Sequence, residues 1–118
     1  MNPASARTPA ASPRFIRWFS EITLADLPVV GGKNASLGEM YQALTPRGVR
    51  VPNGFAVTAD GYRHFLKSAG LVDRIRQRMA GLDTRDVAAL RSAGADIRHL
   101  ILGSEMPSDL EAEITAAY

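Results

Sequence analysis

Lys33 stands directly behind two glycines and at the head of a segment with helical spacing, in the run Val29-Val30-Gly31-Gly32-Lys33-Asn34-Ala35-Ser36-Leu37-Gly38-Glu39-Met40. Peptide N–H groups in a glycine turn and at a helix N-terminus point outward with partial positive charge, and a lysine adds a full charge to them. That combination suits an anion, and phosphate above all. Two familiar phosphate signatures do not fit. A Walker A loop needs glycine six positions before the lysine and Ser or Thr directly after it, and those places hold Leu27 and Asn34. The dinucleotide pattern G-x-G-x-x-G is not met by Gly31, Gly32 and Gly38. The residues alone leave two readings open. One is a phosphate cradle of Gly31, Gly32 and Lys33 with Asn34 as helix N-cap, and the other is a plain turn followed by a solvated lysine.

Other side chains with chemical potential carry weaker patterns. Glu39 could serve as a metal ligand or base, but no second acid lies near it, so a solvated helical carboxylate is the expectation. His64 and His99 have no partners at metal-ligand spacing and read as packing or surface histidines. Arg74 and Arg78 share a helix face, whereas Arg76 points elsewhere and can pair with Asp73 three positions before it. An acidic partner held by Arg74, Arg78, Arg85 and Arg91 is therefore a second functional reading, and a solvated face is its bland counterpart. With no cysteine in the chain, disulfides, thiolate metal sites and cysteine nucleophiles are excluded.

The elements that must position Lys33 follow from periodicity. Phe15 to Ile22 reads as a strand that enters the core with Trp18 as its anchor. Pro28 closes off any helix before the glycine turn. Leu37, Met40, Tyr41 and Leu44 give a helix from Asn34 or Ala35 to about Leu44 one apolar face. A turn around Pro46 and Gly48 leads to a strand, Phe55 to Val57, and Thr58 is the expected N-cap of a helix from Ala59 to about Ser68. Further helices are expected over Leu71 to Leu82, Val87 to Leu102, and Pro107 to Tyr118 with Ser108 as possible N-cap. The fold class is α+β, mainly helical, with about five helices and a few short strands.

The 118 residues, 46% of them hydrophobic, suffice for one modest core. Fourteen basic residues nearly balance 12 acidic ones, for a net charge of +2, so bulk charge names no partner and gives no reason to expect nucleic acid. Met1 to Arg17 holds three prolines, three arginines and no acid. It is expected to be a disordered leader without the apolar core of a secretory signal, ahead of a domain over residues 18–118. No run reaches the ~18 apolar residues that span a bilayer. A cytoplasmic location is the expectation.

Val30 to Met40, followed by Gly48-Val49-Arg50-Val51-Pro52-Asn53-Gly54-Phe55-Ala56-Val57-Thr58, resembles the start of the phosphoenolpyruvate synthase and pyruvate phosphate dikinase family. The rifampicin phosphotransferases are related to it. The likeness runs from about Trp18 to Tyr118. It implies the front of an ATP-grasp-like domain in which Lys33 contacts ATP phosphates, together with Gly31, Gly32 and Asn34. It also implies a parent enzyme, a homo-oligomer, that uses ATP and magnesium to convert pyruvate and water to phosphoenolpyruvate, AMP and phosphate. The magnesium ligands, the phosphorylated histidine and the pyruvate site of the family match no residue of this chain. The resemblance therefore implies no catalytic or metal-binding residue here, and a chain that is inactive without the remaining domains.

Overall fold

The computed structural model describes residues 14–118. Helices dominate, and the sheet is a single antiparallel pair of three-residue strands, β1 (Ile16–Trp18) and β2 (Phe55–Val57). Ile16 pairs with Val57, Arg17 with Ala56 and Trp18 with Phe55. Backbone bonds from Thr58 N–H to the Phe15 carbonyl and from Phe19 N–H to the Gly54 carbonyl, both 2.9 Å, extend the ladder at each end. Phe15 to Arg17, within the expected leader, lie in or beside this sheet. Phe15 is 2% exposed, and β1 already includes Ile16 and Arg17. Residues 1–13 lie outside the described part.

The first strand is also shorter than the expected Phe15 to Ile22. After Trp18 the chain tightens into a 3₁₀ turn, Phe19–Glu21, whose Glu21 carboxylate accepts from the Trp18 N–H at 3.3 Å. Trp18 is only half-buried, edge-on to Phe55 at 5.4 Å. Phe15, Ile16 and Ile22 are the buried anchors instead. A second 3₁₀ turn, Leu24–Asp26, leads into a one-turn helix α1 (Leu27–Val30). Pro28 lies in the first turn of α1, where its missing N–H costs nothing, and so opens a helix rather than closing one.

Helix α2 (Gly32–Leu44) begins two residues earlier than its periodicity suggests. Its buried positions are Ala35 and Gly38, while Leu37, Tyr41 and Leu44 are half-buried and Met40 is exposed. Small residues face inward because the helix lies almost on the backbone beneath it. A Cβ on Gly38 would stand 2.5 Å from the Ile22 carbonyl oxygen and 2.6 Å from the Ile22 Cβ.

Helix α3 (Ala59–Ser68) starts at Thr58, whose hydroxyl accepts from the Gly61 N–H at 3.2 Å. Helix α4 (Leu71–Met79) ends before Leu82 because Ala80 is extended and Gly81 adopts φ +71°, outside any helix. Helix α5 (Val87–Leu102) is capped by the Asp86 carboxylate on the Ala89 N–H at 3.0 Å. Helix α6 (Ser108–Ala117) takes Ser108 as its first helical residue rather than as its cap.

The apolar interior comes in two clusters. One gathers Ile22, Val30, Ala35 and Ala56 under α1 and α2. The other gathers Phe15, Phe65, Leu71 and Leu110 between α3, α4 and α6, with Ile75, Leu100, Ile101 and Ile114 against it. Ile22 and Leu71 are fully buried, and burial of such a side chain stabilises the fold by about 1.5–3 kcal/mol. Ile22 thus fixes the floor on which α2, and with it Lys33, is set.

Candidate functional site

Gly31 makes the corner between α1 and α2. Its φ of +83° and ψ of 162° fall where glycine alone is comfortable, so the residue type there is dictated by backbone geometry. The Gly31 N–H donates to the Leu27 carbonyl at 2.8 Å and ends α1. That amide is spent. Gly31 therefore serves as the turn, with its own N–H already bonded within the chain.

The donors that remain come next in the chain. The hydrogen-bond ladder of α2 starts with the Ala35 N–H on the Gly31 carbonyl at 3.0 Å. The amides of Gly32, Lys33 and Asn34 precede that first rung, and helical geometry gives them no acceptor inside their own helix. Gly31, Gly32 and Lys33 are exposed, and added Cβ atoms at Gly31 and Gly32 would meet nothing within 4 Å. Among the described residues, no carboxylate pairs with Lys33. The corner thus presents backbone donors, the positive end of a 13-residue helix and an ammonium group to open space.

Asn34 is placed differently from expectation. It is the third residue of α2, not its cap, and its side-chain amide donates to the Val30 carbonyl at 2.9 Å. Gly38 and Gln42 complete the mounting. Gln42 Nε2 donates to the carbonyls of Phe19, at 3.1 Å, and of Ile22. Neither role was visible in the sequence, since a helical glycine reads as a weak point and a glutamine as surface.

The other candidates lie elsewhere. Glu39 is exposed, and no group of three or more possible metal ligands occurs among the described residues. His64 stacks on the Phe15 ring at 4.9 Å and bonds Asp109 at 3.0 Å, which makes it a packing residue with one polar partner. That hydrogen bond holds the Asp109 carboxyl below its ordinary value of 3.8. The arginine surface is partly consumed within the chain. Arg78 Nε bonds Asp96 at 2.7 Å, Arg85 Nε bonds Asp83 at 3.2 Å, and Arg76 meets Asp73 at 3.2 Å as its spacing suggests. Of the four arginines in the acidic-partner reading, Arg78 and Arg85 are already paired, so no specific observation favours it. No described helix is long and apolar enough to cross a membrane.

Residues 27–118 match the family described as pyruvate phosphate dikinase, AMP/ATP-binding domain. A phosphoenolpyruvate synthase from Neisseria meningitidis is 51% identical over 104 residues, which is 88% of this chain and 13% of that protein. A probable phosphoenolpyruvate synthase from Methanocaldococcus jannaschii is 49% identical over 94% of this chain and 9% of its own length. The phosphoenolpyruvate synthase of Escherichia coli is 44% identical over 87% of this chain and 13% of its own length. The matched region thus spans only about an eighth of these relatives, or less.

Proposed function

This chain belongs to the pyruvate phosphate dikinase AMP/ATP-binding domain family, and from that premise we propose that its described residues are the front of an ATP-grasp-like domain that holds the ATP polyphosphate at the start of α2. The observation that carries this reading is the corner at Gly31. It leaves the amides of Gly32, Lys33 and Asn34 ahead of the first rung of their helix, beside an exposed Lys33.

The roles follow from charge. Phosphoryl transfer needs little covalent help from protein and much neutralisation of the polyphosphate. Lys33 acts as an electrostatic clamp and not as a nucleophile, Gly31 sets the turn, and Gly32 lets the chain approach the oxygens closely. Magnesium bound with ATP would supply further neutralisation of the phosphate charge, and no described residue is assigned as its ligand. Within a longer, homo-oligomeric parent the ATP held here drives conversion of pyruvate and water to phosphoenolpyruvate, AMP and phosphate. The 118 residues alone lack that activity and sit in the cytoplasm as one domain behind a short leader.

Titration of the chain with inorganic triphosphate, ATP and adenosine, followed through the amide signals of Gly32 and Lys33, tests the site. Triphosphate and ATP are expected to move those signals and adenosine to leave them in place. Lys33→Ala should weaken triphosphate binding about tenfold, the size of one charge-assisted contact, with little change in melting temperature. Equal affinity in the wild type and Lys33→Ala would remove the site. Pyruvate-dependent release of AMP by the 118 residues would overturn their assigned inactivity.

A further inference from the structure

We infer that Asn34 is a positioning residue for the polyphosphate corner, one that acts through the Val30 carbonyl and not by touching the ligand with its side chain; the inference rests on the reading of the site given above. In an unbroken helix the Val30 carbonyl would accept the backbone N–H of residue 34. The left-handed turn at Gly31 interrupts that register, and the side-chain amide of Asn34 reaches back to the same carbonyl at 2.9 Å in a partly buried position. A side-chain donor thus takes up the acceptor, and the Asn34 backbone N–H, ahead of the first rung at Ala35, is left for another partner.

Two consequences favour an anion at this corner. The Val30 carbonyl is the last of α1 and carries the negative end of its peptide dipoles. Left bare, it would repel a phosphate held by the neighbouring amides, and the Asn34 amide covers it. The same bond ties the first turn of α2 to the end of α1, so that the φ of +83° at Gly31 is held from both sides. Gln42 and Gly38 fix the rest of α2 against Phe19 and Ile22. Asn34 is the one side chain of the mounting that sits within the donor set itself.

The test compares wild type with Asn34→Ala, Asn34→Asp, Lys33→Ala and a control, Ser36→Ala, whose side chain is exposed on the same turn. Inorganic triphosphate is the probe. Asn34→Ala is expected to lower triphosphate affinity about tenfold, as loss of a bond that fixes the donors would. Asn34→Asp should lose more, since it removes the donor and adds a charge of the wrong sign. In the absence of ligand, both should shift the amide signals of Gly31 and Gly32 further than Ser36→Ala does, and both should melt somewhat below it, as loss of a partly buried hydrogen bond requires. A merely structural residue would lower the melting temperature and leave the triphosphate affinity of the folded protein at the wild-type value, and that result overturns the inference. So does Asn34→Ala with wild-type affinity while Lys33→Ala is weakened. If Lys33→Ala binds as wild type does, the reading of the site fails first and the role of Asn34 falls with it.

Discussion

At the start of β1 the N–H groups of Arg14 and Phe15 donate to the two oxygens of the Glu113 carboxylate, at 2.6 and 2.7 Å, across nearly a hundred residues of sequence. At the start of α2 the N–H groups of Gly32 and Lys33 stand ahead of the helical ladder and face outward. Both places offer consecutive amides that no backbone carbonyl of their own element takes up, which suits an anion. At the first the fold brings its own carboxylate on α6, and the pair is closed. At the second it brings an ammonium group of the opposite sign, and the pair is left for something from outside. On the proposed reading, one backbone chemistry serves as a clasp in one place and as a receptor in the other, depending on what the nearest side chain carries.

The contrast breaks most severely if α2 is lifted from its floor. Gly38→Ala would put a Cβ 2.5 Å from the Ile22 carbonyl, a backbone atom that cannot turn aside. Overpacking of this kind costs about 1–3 kcal/mol, and the upper end is expected here. Urea denaturation would show the loss, and triphosphate affinity should fall with it because the donor corner moves. Wild-type stability in Gly38→Ala would mean that α2 is not seated as described.

Opening the clasp sharpens the comparison from the other side. Glu113→Gln replaces one acceptor oxygen with a donor that faces a backbone N–H, at a cost of about 1–2 kcal/mol. That loss should leave triphosphate binding at α2 untouched. If both quantities fall together, the two corners are coupled.

The smallest effect concerns acid. Asp109 is held below 3.8 by its hydrogen bond with His64, which joins α6 to α3. A carboxyl with a depressed folded value contributes stability that is complete above 3.8 and disappears as pH falls through that lower value. Asp109→Asn should therefore be slightly less stable than wild type at neutral pH and converge on it in acid. Parallel curves over that range would remove the pair from the account.

Much of this architecture could be read from the residues. The helix over Ala59–Ser68 announced itself through its Thr58 cap, and the helix over Val87–Leu102 and the strand Phe55–Val57 through apolar spacing, because local chemistry decided them. The glycine-lysine corner was legible as a motif, although not as a geometry. What failed to show was everything set by contact at a distance. The inward face of α2 is Ala35 and Gly38 rather than Leu37 and Met40, since the backbone at Ile22 comes too close for larger side chains. No local rule assigns Gln42 to carbonyls 20 and 23 positions away, or Glu113 to the first strand. Asn34 looked like a cap because asparagine commonly is one, and the left-handed turn at Gly31 moved the cap three residues back.

The empty volume before Gly31 and Gly32 also bears on tempo. Among the described residues nothing stands within 4 Å of a Cβ added at either glycine, so on the proposed reading capture should proceed at a rate governed by diffusion and steering, not by rearrangement. Residence is then short unless another part of a larger protein folds over the guest. The proposed cradle would be quick to load, and the duration of its hold would be set by whatever closes upon it.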